Sequence, residues 1–148
     1  QVLDLFAARC ARERISVRRR LAPGLPEIQA VPSQMRQVLV NLIINGIQAM
    51  PKGGTLTLET RPGKGTIRIL VGDTGIGMDG QTIQKIFTPF FTTKDAEHGT
   101  GLGLGIVQDI VVSHGGRLSV ESRRNAGSRF IVELPAGAAG SSGDRQNG

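Results

Sequence analysis

Cysteine, histidine and long apolar runs are scarce in this chain of 148 residues. Its single cysteine, Cys10, cannot form a disulfide within the chain, which excludes a disulfide-stapled secreted scaffold and favours a reducing compartment. One cysteine and two distant histidines, His98 and His114, cannot supply the four ligands of a usual structural zinc site. The apolar runs fall short of the roughly 18 residues that a membrane-spanning helix needs, so we expect a soluble domain.

The sequence begins at Gln1 rather than at a methionine, and its first residues do not show the charged segment followed by an apolar one that is typical of a signal peptide. We therefore expect a fragment of a longer polypeptide, located in the cytoplasm, whose upstream parts can include a sensor and a membrane anchor. The length predicts a single domain with a core large enough to fold without a disulfide.

Positive charge and glycine are what the sequence has in excess. Lys and Arg number 18 against 12 Asp and Glu, and the net charge of +6 suits an anionic partner such as nucleotide phosphate, nucleic acid or a membrane surface. The 21 glycines cluster at 72–80 and 99–105 rather than in a linker. Clustered glycine indicates that the backbone closely approaches another group.

The spacing of apolar residues predicts an alternation of helices and strands. Helices are expected at 1–13, from 34 to Met50 with Ser33 as N-cap, near 80–87, and from about 100 to His114. Strands are expected at 15–21, around 28–31, and at 55–60, 66–72, 117–122 and 128–134. The tail at 137–148 has no periodicity and few apolar side chains, so we expect it to be disordered.

The predicted helix at 34–50 has an unusual polar face. Its polar side chains are nearly all amides that share one narrow stripe: Gln34, Gln37, Asn41, Asn45 and Gln48. Asn41 and Asn45 lie four residues apart and project side by side, where an amide oxygen can ligate a hard cation and an amide N–H can reach a phosphate. The alternative is a ladder of hydrogen-bonded amides over the sheet.

A second motif, D-T-G-I-G-M at 73–78, directly follows a predicted strand. Its glycines begin a G-x-G-x-x-G pattern, but a dinucleotide turn is disfavoured because the Asp73 carboxylate would face the incoming phosphates. Asp73 is better suited to accept a hydrogen bond from an exocyclic amine, while Gly75 and Gly77 let the backbone approach a flat base. An ordinary turn that begins with aspartate is the alternative.

Two further segments complete the pattern. Residues 86–94 hold three of the five phenylalanines and end at Lys94, which could reach an anion or could simply be solvated beside a buried corner. The alternating glycines of 99–106 open a helix, where exposed N–H groups and the helix dipole form a phosphate cradle. His98 is interpreted as a loop residue and His114 as a structural residue at a helix end, where an imidazole suits the dipole.

Taken in order, the motifs N-L-I-I-N-G-I-Q-A-M (41–50), D-T-G-I-G-M (73–78), I-F-T-P-F-F-T-T-K (86–94) and G-T-G-L-G-L-G-I (99–106) are specific. They closely resemble the catalytic and ATP-binding domain of sensor histidine kinases, in the superfamily shared with DNA gyrase B, Hsp90 and MutL. The resemblance implies an α+β fold: a two-layer α/β sandwich of the Bergerat type, with a mixed, mostly antiparallel sheet and helices on one face. The catalytic domain would span 14–136, after the end of a helical connection at 1–13.

The resemblance also implies a role for each matching residue. Asn45 would ligate Mg²⁺, Asn41 and Lys94 would contact the transferred phosphate, and Asp73 would bind the adenine amine of ATP. The remaining nucleotide contacts would come from Gly75, Gly77, Thr100, Gly101, Leu102, Gly103 and Leu104. A lid spanning roughly 87–104 would be short, as in the nitrogen-regulation and FixL-like kinases.

Asn41 stands where the ATPases of this superfamily place the glutamate that activates water. An amide cannot accept that proton, so the resemblance implies transfer of the γ-phosphoryl group to a nucleophile supplied elsewhere. That nucleophile would be a histidine on a dimerisation domain of the same parent protein, with a response regulator as indirect partner. The domain itself is expected to be monomeric, without nucleic-acid or membrane contacts. An anti-sigma-factor-type serine kinase, another superfamily ATPase and a basic binding module are the competing hypotheses.

Overall fold

The computed structural model describes residues 4, 6–23, 30–81 and 101–136, with the backbone alone described at 101–103. In chain order the elements are α1 (Ala7–Arg12), β1 (Ile15–Arg20), α2 (Pro32–Gln48), β2 (Gly54–Pro62), β3 (Thr66–Asp73), α3 (Gly101–Ser113), β4 (Arg117–Arg123) and β5 (Gly127–Pro135). Residues 80 and 81 are helical, and the rest of the helix expected near 80–87 lies outside the described residues. The same holds for the tail at 137–148.

The five strands form one sheet in the order β1-β2-β3-β5-β4. β1 runs parallel to β2, and the three other pairs are antiparallel. The predicted hairpin of β2 and β3 is present and turns at 63–65, where Gly65 has a φ of +65° that favours glycine. The sheet is therefore mixed and mostly antiparallel, as expected.

One face of the sheet is covered by α2 and α3, and this layer contains the core. Alternate residues of the strands point toward the helices because successive side chains of a strand face opposite ways. The most deeply buried side chains on this side are Leu42, Ile43, Ile47, Leu56, Val107, Val111, Phe130, Val132 and Leu134. The two-layer α+β sandwich is confirmed, and the second face of the sheet carries no described helix.

Two boundaries differ from the sequence prediction. α2 begins at Pro32 with Val31 as N-cap, rather than after Ser33, because proline lacks the N–H that the first turn leaves unbonded and its fixed φ suits a helix start. Val31 is thus not a strand residue, and 28–29 lie outside the described residues. α3 ends at Ser113, and Gly115 follows with a φ of +76°. In the described part of the chain, no helix is long and apolar enough to cross a membrane.

Candidate nucleotide-binding site

Asp73 is the last residue of β3, and its side chain points into the layer between the sheet and α2. Its side chain is largely buried, with 9% exposure, and Oδ1 accepts a hydrogen bond from the Gly75 N–H at 2.8 Å. A carboxylate held in this way cannot rotate freely, and it stays hydrogen-bonded although it is largely removed from water. The predicted position of Asp73 at a strand end is confirmed.

Helix α2 passes close to Asp73 at Gly46. A Cβ placed on Gly46 would lie 3.9 Å from Asp73 Oδ2 and 2.8 Å from Leu56 Cδ1, which is too close for a real Cβ. A side chain at this position would therefore be in ordinary contact with Asp73, and only the flexible end of the Leu56 side chain on β2 would have to move.

The glycines after Asp73 are required by contacts within the chain. A Cβ on Gly75 would collide with the Ala49 carbonyl oxygen, and a Cβ on Gly77 would collide with the Arg123 carbonyl oxygen. Gly77 also has a φ of +66°, in the left-handed region that favours glycine. Both glycines are thus accounted for by packing, whether or not a base lies against them.

Hydrogen bonds attach this loop to its surroundings at three points. The Ile76 N–H donates to the Ala49 carbonyl at 2.9 Å, at the end of α2. On the other side, the Met78 N–H donates to Ser122 Oγ at 2.8 Å, and the Asn125 N–H donates to the Ile76 carbonyl at 2.6 Å. The loop at 74–78 is therefore held between helix α2 and the turn that joins β4 to β5.

The sequence analysis missed the contribution of the β4–β5 turn. Gly127 has a φ of +93°, and a Cβ there would collide with the Asp73 carbonyl oxygen. Asn125 also has a positive φ, +64°. The R-N-A-G sequence at 124–127 carried the signal of a tight turn, but no local pattern could show that the turn packs against Asp73.

The amide stripe runs along α2, the helix whose Gly46 adjoins Asp73. Asn41 and Asn45 are both partly exposed, and Gln37 Nε2 donates to Asn41 Oδ1 at 2.7 Å. One hydrogen bond of the amide ladder, the alternative interpretation of the stripe, is therefore present, between Gln37 and Asn41. Among the described residues, none forms a hydrogen bond with the Asn45 side chain, so its amide oxygen is the donor atom on the stripe best suited to a hard cation.

The position of the first turn of α3 relative to Asn45 follows from a contact at the last turn of α3. His114, just after α3, accepts a hydrogen bond at Nε2 from the Val31 N–H at 3.1 Å, directly before α2. The two helices also pack against each other. Because the hydrogen bond joins the end of α3 to the start of α2, we infer that they run in roughly opposite directions. At about 1.5 Å per residue, Gly101 and Asn45 each lie about 20 Å from that junction. The first N–H groups of α3 are therefore about level with Asn45.

Both ring nitrogens of His114 have hydrogen-bond partners. Nδ1 lies 2.8 Å from the Ile110 carbonyl oxygen and must donate to it, while Nε2 accepts from Val31. The structural role predicted for His114 is confirmed, because its ring connects the end of α3 to the start of α2.

Several predicted site residues cannot be placed. Lys94 and Thr100 lie outside the described residues, as do the Phe-rich segment and His98. Gly101, Leu102 and Gly103 form the first turn of α3, and Leu104 is buried in the core. The described residues contain no group of three or more His, Cys, Asp or Glu side chains that could hold a metal ion.

Comparison with known proteins identifies the family to which this fold and site belong. The chain belongs to the histidine kinase-, DNA gyrase B- and HSP90-like ATPase family, whose model matches residues 30–138. It is therefore an ATP-binding domain of that family.

Sensor kinases are among its similar proteins. The chain is 41% identical over 134 residues to sensor histidine kinase ZraS of Klebsiella oxytoca, and 46% identical over 103 residues to sporulation kinase C of Bacillus subtilis (strain 168). These matches cover 90% and 70% of this chain but 29% and 24% of the relatives. The chain thus spans less than a third of the length of either relative.

Solved structures agree with this placement. The catalytic domain of histidine kinase ThkA has a TM-score of 0.81 at 33% identity, covering 91% of this chain and 88% of that one. Full-length ShkA, solved in complex with AMPPNP, has a TM-score of 0.82 at 30% identity, covering 92% of this chain and 28% of that one.

Proposed function

We propose that this chain is the catalytic domain of a sensor histidine kinase, which transfers the γ-phosphoryl group of ATP to a histidine on a separate dimerisation domain. Residues 14–136 form the catalytic domain in this proposal, and 1–13 the end of the connection to the acceptor. The observation that carries it is the buried Asp73 carboxylate beside α2, the helix that also carries the amide stripe and packs against α3. The similarity to ShkA, which was solved in complex with AMPPNP, supports binding of an ATP-like nucleotide by this chain.

Asp73 recognises the base in this proposal. Its carboxylate accepts a hydrogen bond from the exocyclic amine of adenine, and the backbone at Gly75 and Gly77 lies against the base edge. Guanine presents a carbonyl oxygen at the position of that amine, which would face the carboxylate without a proton between them. The site therefore selects ATP over GTP.

The phosphates lie toward α3. The N–H groups of 101–104, with the Thr100 backbone and the Lys94 ammonium, offer positive charge to the polyphosphate chain. The Asn45 amide oxygen fits Mg²⁺, which keeps several waters and phosphate oxygens and needs few protein ligands. When bound, the cation supplies charge neutralisation for phosphoryl transfer.

Two observations support an acceptor outside this chain. Asn41 cannot act as a base, and its amide oxygen already accepts from Gln37, so it can orient a phosphate but cannot activate water. Both ring nitrogens of His114 are engaged in hydrogen bonds, which leaves no lone pair for attack on phosphorus. The partner is therefore a dimerisation domain that carries the acceptor histidine, with a response regulator receiving the phosphoryl group afterwards.

The test is phosphotransfer in trans. The chain is mixed with Mg·ATP, labelled at the γ-phosphate, and the helical acceptor domain of its own parent protein. We expect an acid-labile, alkali-stable phosphohistidine on the acceptor domain and no label on the chain itself. The Asn45→Ala variant should lose this transfer, whereas Gln34→Ala, an exposed amide of the same stripe, should retain it.

Two outcomes would contradict the proposed activity, and a third would contradict only the metal assignment. Stable labelling of His98 or His114 in the isolated chain would place the acceptor within it. Rapid ATP hydrolysis without an acceptor would favour a superfamily ATPase. Wild-type transfer by Asn45→Ala would remove Asn45 from the metal site while leaving the phosphotransfer itself established.

A further inference from the structure

The sheet face opposite the helices contains a trough of about 510 Å³. One transverse row across the sheet runs from Arg18 through Thr57 and Gly72 to Arg129 and Glu121, as the strand registers show. Neighbouring strands are about 4.8 Å apart, so the backbones at Arg18 and Arg129 stand about 14 Å apart. Between them lie only a threonine and a glycine, which form the low floor of the trough.

The walls of the trough carry unbalanced positive charge. Four arginines line it, Arg18, Arg20, Arg123 and Arg129, together with three acidic residues, Glu59, Glu121 and Asp73. The Asp73 carboxylate lies toward α2 and accepts from the Gly75 N–H, so it does not pair with these arginines. Each glutamate is already paired with an arginine: Glu121 with Arg129, and Glu59 with Arg61. Among the described residues, Arg18, Arg20 and Arg123 form no ion pair. Three guanidinium groups therefore surround the trough without a neutralising carboxylate.

We propose that this trough binds an acidic segment of a partner protein, by its carboxylates and its backbone together. Arg18 and Arg20 project from the same face of β1 about 7 Å apart, which matches carboxylates at alternate positions of an extended chain. Guanidinium groups hold carboxylates in bidentate pairs. Asp73 and Thr74 also line one end of the trough, so this surface adjoins the nucleotide site at the end of β3, although the Asp73 carboxylate itself lies on the helix-covered side of the sheet.

The lining favours a polypeptide over other polyanions. The lining residues that the structure describes include no aromatic side chain on which nucleic-acid bases could stack. The two glutamates, each paired with an arginine, and the floor hydroxyl of Thr57 still offer acceptor oxygens to the N–H groups of a peptide backbone, which a phosphate chain lacks. A flat membrane cannot enter a concave trough whose floor lies below the arginines.

The experiment measures binding of a fluorescein-labelled peptide of alternating glutamate and serine by fluorescence anisotropy. The peptide should bind the wild-type chain, and the double variant Arg18→Glu, Arg20→Glu should bind it about tenfold more weakly, because two attractions become two repulsions. The matched control Arg36→Glu, Lys52→Glu makes the same change of net charge at exposed positions outside the trough. It should bind the peptide as the wild type does, and the first variant should bind ATP normally.

A second variant tests the shape of the trough without changing charge. A Cβ on Gly72 would have ordinary contacts, 3.7 Å to the Ser128 carbonyl oxygen, so Gly72→Val is compatible with the strand. Its side chain would fill the floor, and we expect a loss of peptide affinity of about tenfold. Absence of peptide binding overturns the proposal, as does equal weakening by the control pair. Tighter binding of oligothymidylate or of phosphatidylserine vesicles than of the peptide, abolished by Arg18→Glu, Arg20→Glu, would overturn the assignment to a protein partner.

Discussion

Replacing Asp73 by asparagine separates base recognition from stability. The carboxylate has two tasks in the proposed complex: Oδ1 accepts from the Gly75 N–H at 2.8 Å, and the group accepts from the adenine amine. In the Asp73→Asn variant, the amide oxygen of the new side chain can keep the first bond. The NH₂ group of that side chain then stands where an acceptor was, so the adenine amine meets a donor.

The expected magnitude follows from the bond that is lost. A hydrogen bond to a charged group contributes about 1.5–3 kcal/mol. At about 1.4 kcal/mol per tenfold change, the dissociation constant of ATP should rise between about tenfold and about 150-fold. Isothermal titration calorimetry measures this directly, and the urea midpoint of the variant shows whether the turn is kept.

Asp79→Asn is the matched control for this prediction. Asp79 lies six residues further along, where its carboxylate is more exposed and pairs with Arg124 at 3.1 Å. Its loss should change ATP affinity less than twofold. If Asp73→Asn folds with an unchanged urea midpoint and still binds ATP like the wild type, Asp73 does not contact the base. Wild-type binding of GTP with the affinity of ATP would refute the base-recognition argument altogether.

Three further predictions concern stability and reactivity. Gly77→Ala should lower the free energy of unfolding by at least about 1–2 kcal/mol, because Gly77 has a left-handed φ and a Cβ there would collide with the Arg123 carbonyl oxygen. Gly80→Ala is the control, since a Cβ on Gly80 would meet nothing within 4 Å, and urea titration compares the two variants. His114→Ala removes one hydrogen bond to Val31 at the start of α2 and one to the Ile110 carbonyl within α3, and should cost about 2 kcal/mol in the same assay. Burial raises the pKa of the Cys10 thiol, so iodoacetamide should label it at pH 8 only in denaturant, and fast labelling of the folded chain would contradict that burial.

The fold was accessible from sequence where the pattern is local. The β2–β3 hairpin and helix α2 each carry their own periodicity, and Asp73 could be placed at a strand end because the alternation stops there. The parallel pairing of β1 with β2 and the order of the sheet depend on contacts between distant segments, which no local pattern encodes. The position of Ser33 misled the prediction because a good N-cap residue stood next to a proline that starts the helix.

The candidate site was accessible only in part for the same reason. Residue type and spacing pointed to Asn45 and Asp73. A stripe of amides is uncommon on a largely buried helix, and an acidic residue is uncommon at the end of an apolar strand. The reasons for Gly75 and Gly77 were not visible, because their close neighbours belong to the end of α2 and to the β4–β5 turn. Lys94 and Thr100 remain predictions.

Within the described structure, the loop at 74–78 is attached to the β4–β5 turn but not to the β2–β3 turn, so inserted sequence should have different effects in the two hairpins. A peptide tag placed after Lys64, at the exposed tip of the β2–β3 turn, would lengthen a loop far from the cleft. The same tag placed after Asn125 would move the N–H that holds Ile76 and the glycine that packs on Asp73. A fluorescent reporter of nucleotide occupancy therefore belongs in the second turn, and an inert purification handle in the first.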